Sequence, residues 1–148
     1  SYRGCNNNDM NKAFELALSF YGEREIVGEV DNPTIVQWFA DIGHSWVKDD
    51  ELAWCACFVN AMLKLSGLPH TGKLNARSFL SLGDEVTSPR QGDIVVLWRK
   101  GKNSAYGHVG FFVREYQGDI YILGGNQGNR VCIMGYKKER LLEYRRIS

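Results

Sequence analysis

Gly92-Asp93-Ile94-Val95-Val96-Leu97-Trp98 is the stretch that decides the fold class, because the residue pattern changes there. It is a compact apolar run, bounded by Gly92 on one side and by the polar loop Arg99 to Asn103 on the other, which is how a buried strand is punctuated. Downstream, His108 to Arg114 is a second run rich in Val and Phe. Tyr116 to Asp119 turns the chain into a third strand, Ile120 to Leu123, and Val131 to Met134 and Tyr144 to Ile147 read as further strands. Upstream of Pro89 the period is helical. Met10, Ala13, Phe14, Ala17, Leu18 and Tyr21 predict a helix from Asp9 to Tyr21 with Gly22 as its stop. Asn32 caps and Pro33 opens a second helix through Ile35, Val36, Phe39 and Ile42 to Gly43, with the proline at the start and the glycine at the end. A third runs from about Cys55 through Phe58, Val59, Met62, Leu63 and Leu65 to Gly67, and Asn75 caps a short helix ending near Gly83. Helices first and strands second predict an α+β fold, not alternating βαβ units.

The 148 residues fit one globular domain, and a chain of this length buries enough surface to need neither disulfides nor a structural metal. Residues 9–148 are read as that single domain, and the polar, Asn-rich residues 1–8 as a disordered lead-in or linker. Eighteen Lys and Arg against seventeen Asp and Glu give a net charge of +1, which argues against a nucleic-acid binder acting through bulk charge. No apolar run approaches the roughly 20 residues of a membrane helix. No secretion signal is visible. Gly4-Cys5 resembles the end of a lipoprotein processing site, but the residues before it are not apolar. Charge is uneven: residues 23–51, which include the acidic loop Glu23 to Asp31, hold eight acids and two bases, and residues 130–148 hold six bases and two acids. Solvated faces account for this; a basic flank beside a site for an anionic polymer is the sharper alternative.

Cys55, in Ala53-Trp54-Cys55-Ala56-Cys57-Phe58-Val59, stands where a polar loop enters an amphipathic helix. Unpaired N–H groups and the helix dipole favour an anion there, so a thiol in that first turn is expected to ionise more readily and act as a nucleophile. Cys57 is expected to be a small buried hydrophobe. A thiolate needs an imidazole to stabilise it and to protonate the leaving group. His44 and His70 lie in polar surroundings, whereas Gly107-His108-Val109-Gly110-Phe111-Phe112-Val113 places His108 at the leading end of an apolar strand. Asn126, in Leu123-Gly124-Gly125-Asn126-Gln127-Gly128, follows the next strand closely enough to orient the ring, with Gln127 as the alternative. Trp54, Tyr106 and Trp98 are candidate groove walls, although aromatic residues at such places are more often core. The competing use of these cysteines is a metal site. Cys55 and Cys57 are too close for a zinc knuckle and no second ligand pair has the spacing, so no metal and no cofactor are expected.

At these residues a family resemblance emerges. Trp54-Cys55-Ala56, Phe58-Val59-Asn60, Gly92-Asp93-Ile94-Val95-Val96-Leu97, Gly107-His108-Val109-Gly110-Phe111 and Leu123-Gly124-Gly125-Asn126-Gln127 resemble, in order, the motifs of papain-like cell-wall hydrolases of the NlpC and CHAP type. Asp31-Asn32-Pro33, Ala76-Arg77-Ser78 and Tyr144-Arg145-Arg146 extend the likeness from about Phe14 to the end. The resemblance implies a papain-like fold, with N-terminal helices packed on an antiparallel sheet. It implies hydrolysis of peptidoglycan amide bonds, either as a stem-peptide endopeptidase or as an N-acetylmuramoyl-L-alanine amidase. Cys55 matches the nucleophile, His108 the base and Asn126 the polar third member; Cys57 stands where a small residue is frequent. Implied partners are peptidoglycan or its peptide fragments, with an inhibitor or immunity protein as a further candidate. The implied location is the periplasm, the cell envelope or the exterior. Two other readings share the residues: a cysteine acyltransferase or transglutaminase-like enzyme, whose thioester is resolved by an amine, and a noncatalytic peptidoglycan-binding module.

Overall fold

A computed structural model describes residues 5–25, 32–45 and 54–147, with side chains from residue 11 onward. Among the described residues three α-helices precede a six-stranded antiparallel sheet, the α+β arrangement expected. Helix α1 spans Cys5–Ser19 and turns Ala13, Phe14 and Ala17 into the core. It starts inside the stretch read as a lead-in, of which residues 1–4 lie outside the described residues, as do residues 26–31 of the acidic loop. Helix α2, Pro33–Asp41, begins as its sequence dictates: the Asn32 side-chain oxygen accepts from the N–H groups of Thr34 (2.8 Å) and Ile35 (3.4 Å). It buries Ile35, Trp38 and Phe39. Helix α3, Cys55–Leu65, is buried on every side from Cys55 to Leu63, which makes it the central helix of the molecule. Gly67, at φ 77°, turns the chain away from it. Ala76–Ser81 forms a short helix of the 3-10 type, which the Asn75 side chain does not cap.

The strands are β1 (Asp84–Val86), β2 (Ile94–Trp98), β3 (Gly107–Tyr116), β4 (Asp119–Gly124), β5 (Cys132–Lys137) and β6 (Leu141–Arg146), in the spatial order β1-β6-β2-β3-β4-β5. Strand β1 has no sequence signal, being three residues long and mostly exposed. The last strand returns to lie between β1 and β2. It is fixed there by a forked ion pair: Arg146 Nε and Nη2 donate to the two Asp93 carboxylate oxygens at 2.9 and 2.7 Å.

One face of the sheet presents Ile94, Val96, Val109, Phe111 and Leu123 to the helices, in one core with Phe14, Phe39, Phe58 and Met62. Phe14 meets Phe111 edge to face, with ring centroids 6.4 Å apart. Alternate residues Val95, Leu97, Phe112, Ile120 and Ile122 form a second cluster with Tyr144 on the other face. Each fully buried Leu, Ile or Phe contributes roughly 1.5–3 kcal/mol by leaving water. Gly110 permits β3 and β4 to close: a Cβ there would stand 2.2 Å from Ile122 Cγ2. Strand β3 lies against α3.

Candidate active site

Cys55 is the first residue of α3, and its thiol rests against the backbone of Val109, the residue after His108 in β3. Helix start and strand start therefore meet. No side chain caps α3, because the residue before it, Trp54, carries an indole that can only donate, which it does to Glu25 Oε1 at 2.5 Å. The first-turn N–H groups are thus left to other acceptors, and those of Cys55 and Ala56 act on the sulfur. Cys55 is nevertheless only 2% exposed. Burial raises the thiol above its ordinary pKa, against the opposing pull of the Val109 and Ala56 backbone and of the Arg99 charge. The helix start alone predicts an easily ionised thiol; desolvation overrides that effect here.

His108 sits opposite Leu97 in the sheet and is also buried. Its Nε2 lies 2.8 Å from Gln127 Oε1. The orientation of that amide is fixed, because Gln127 Nε2 donates to the carbonyls of Ile122 (3.1 Å) and Cys132 (2.6 Å). Gln127 can only accept from the ring, so Nε2 carries the proton. The neutral imidazole then has its lone pair on Nδ1. Tyr136 Oη is 3.3 Å from the same Nε2, and its ring is 5.1 Å from the imidazole. Burial depresses the His108 pKa to about 4; the Gln127 bond works against this, and the charges of Arg140 and Arg99 add to it. Thiol and imidazole are both neutral near pH 7. Among the described residues no hydrogen bond joins them.

The side chain bonded to His108 is therefore Gln127, not Asn126, the residue placed first from sequence. Asn126 is half-buried at φ 58°, and its left-handed backbone turns the chain out of β4 so that Gln127 comes back beneath the ring. Gly124 clears the space for this: a Cβ on it would lie 2.8 Å from Gln127 Oε1 and 3.5 Å from His108 Nε2.

Trp54 is a core residue and no groove wall. It is 1% exposed, 6.0 Å from the Trp38 ring, and covers Gly125 so closely that a Cβ there would be 2.7 Å away. Trp98 is partly exposed at the end of β2, where its Nε1 donates to Glu139 O at 3.2 Å. Tyr106 is 37% exposed, with the Arg99 guanidinium 5.2 Å above its ring. Cys57 is fully buried and its pKa raised by burial, then by Asp41 and Cys55, so it is held as a neutral thiol. His44 is tied to Gly72 O at 2.7 Å, and burial lowers the pKa of His70. Sequence reading missed Tyr136, Arg99 and Arg140. The first lies in a strand longer than its apolar run, Arg99 in a polar loop and Arg140 in a single 3-10 turn, so no period marks them. Among the described residues, no group of three His, Cys, Asp or Glu side chains could hold a metal ion.

Helices laid on an antiparallel sheet, with a thiol at a helix start beside a strand-borne imidazole, define the papain-like class of folds. The CHAP domain model matches residues 47–126, more than half of the chain, and the chain belongs to that family. No curated protein matches it. Its fold is similar to that of an NLP/P60-family protein, described as similar to lipoprotein, from Staphylococcus aureus (TM-score 0.57, 16% identity, 96% of this chain and 42% of that one). It is similar to an NlpC/P60 family protein from Bacillus cereus (TM-score 0.58, 14% identity, 93% and 39%). The P60 domain of an antigen from M. avium subspecies paratuberculosis is of matching size (TM-score 0.55, 11% identity, 95% and 96%). The chain spans 42% and 39% of the length of the first two.

Proposed function

We propose that this CHAP domain is a cysteine hydrolase that cleaves amide bonds of peptidoglycan through a thioester on Cys55. Membership of the family supports the substrate class. The observation that carries the chemistry is the locked His108 tautomer: Gln127 holds the proton on Nε2 and leaves Nδ1 as a base beside the strand on which the thiol rests. Because both groups are neutral, the thiol proton passes to Nδ1 as sulfur attacks the carbonyl carbon. The negative charge then gathers on the carbonyl oxygen, where the first-turn N–H groups of α3, that of Cys55 included, would receive it. The imidazolium returns its proton to the departing amine. Water, activated by the same nitrogen, hydrolyses the thioester and frees the thiol. Gln127 serves as the orienting third member, in preference to Asn126. A substrate of this kind places the enzyme outside the cytoplasm, and no described helix is long and apolar enough to cross a membrane.

The test is digestion of purified sacculi, with mass spectrometry of the released muropeptides. Wild-type protein should release soluble fragments, and Cys55→Ala should lower release by roughly a thousandfold or more while keeping the wild-type Tm. New amine termini within the stem peptide identify an endopeptidase, and free lactyl groups an amidase. Equal release by the variant would overturn the nucleophile, and wall binding without fragments would overturn the enzyme.

A further inference from the structure

We propose that Arg99 and Arg140 form a carboxylate clamp beside His108, so that the site takes amides whose leaving residue carries a free carboxylate. This rests on the amide-hydrolase reading and specifies its substrate. Arg140, just before β6, donates from Nε to Trp98 O at 3.1 Å, and its guanidinium lies 5.4 Å from the Tyr136 ring and 6.0 Å from that of Trp98. Tyr136 in turn touches the imidazole, at 3.3 Å. Arg99, at the end of β2, lies over Tyr106, whose carbonyl accepts from the Arg99 backbone N–H at 3.3 Å. The loop between them is braced from below by Arg77, which donates to Tyr106 O, Lys102 O and Gly101 O at 2.9, 3.0 and 3.0 Å.

The contrast with neighbouring arginines gives the site its meaning. Arg77, Arg145 and Arg146 fill their forks with carbonyls or carboxylates of the protein. Arg140 uses only Nε, and neither it nor Arg99 meets a carboxylate among the described residues. Both planar groups lie against aromatic faces with donors unspent among the described residues, the arrangement that receives a carboxylate in two-point fashion. Both charges also act on the buried imidazole, and that of Arg99 on the thiol. His108 protonates the departing amine, so groups that flank the ring flank the leaving residue.

The experiment uses iodoacetate and iodoacetamide, anionic and neutral reagents that alkylate Cys55 by the same displacement of iodide. Rates are followed by intact mass, assigned by peptide mapping and expressed as their ratio relative to that of glutathione. The wild-type ratio should exceed one and fall as salt is raised to about 1 M. Arg99→Gln and Arg140→Gln should each lower it roughly threefold to tenfold, and Arg140→Lys should preserve most of it. A ratio at or below one, no modification by iodoacetate, or ratios unchanged by both glutamine substitutions would overturn the clamp. The readout needs no cell wall. Absent muropeptide release with the ratio intact would overturn the peptidoglycan reading alone, and normal release with an insensitive ratio the clamp alone.

Discussion

Gln127 is the residue that sets the tautomer of His108, and in the proposed mechanism the chemistry of the ring turns on it. Its amide spends both N–H groups on backbone carbonyls and offers only an acceptor to the ring, so it selects one tautomer of a buried imidazole. Replacing it with Ala frees the ring to rotate and to exchange tautomers. We expect Gln127→Ala to lower kcat roughly a hundredfold in a muropeptide-release assay. Asn126→Gly, which keeps the left-handed backbone while removing the side chain, should cost far less activity, because no side-chain bond to His108 is lost. The reverse ranking would return the orienting role to Asn126. From the sequence both amides were visible, side by side after a strand. Only the left-handed backbone at Asn126 decides which of them points back at the imidazole.

At the scale of elements, the site is built by strands β3 and β4 approaching more closely than side chains usually permit. Glycines at 110, 124 and 125 lie where a Cβ would collide with Ile122, Gln127 or Trp54. Gly124 is the informative one, since its forbidden Cβ would strike the Gln127 oxygen at 2.8 Å and not the main core. Gly124→Ala should therefore reduce activity by at least roughly tenfold, with a stability cost of about 1–3 kcal/mol by denaturant titration. Activity at the wild-type level in a folded variant would show that the amide shifts without consequence. The glycines are plain in the sequence as Gly124-Gly125. What they face is not, because the groups they admit come from three different elements.

For the molecule as a whole, burial of the site couples folding to pH. His108 has a folded pKa of about 4, below the ordinary 6.5, so the unfolded chain binds the extra proton between those values. Stability contributed by the neutral ring is thus complete above pH 6.5 and is lost as pH falls toward 4. The size is roughly 3 kcal/mol, from about 1.4 kcal/mol per pKa unit. Urea titrations at pH 7 and pH 4.5 should show a larger loss of unfolding free energy for wild type than for His108→Gln. Equal losses would mean that the ring is hydrated or charged in the folded state.

The residues alone determined the α+β class, the helix limits at Asn32-Pro33, Gly43 and Gly67, and the placing of a cysteine at a helix start and of a histidine near a strand start. Those are local matters of periodicity, capping and apolar runs, written within a few residues of where they act. Tertiary structure decided the rest: that Gln127 and not Asn126 meets His108, that Trp54 lies in the core, that Cys55 and His108 are buried and neutral, and that Arg99 and Arg140 lie near enough for their charges to act on the imidazole. Each of these depends on which distant segments pack together and how much water they exclude, and desolvation and close approach leave no period along a chain.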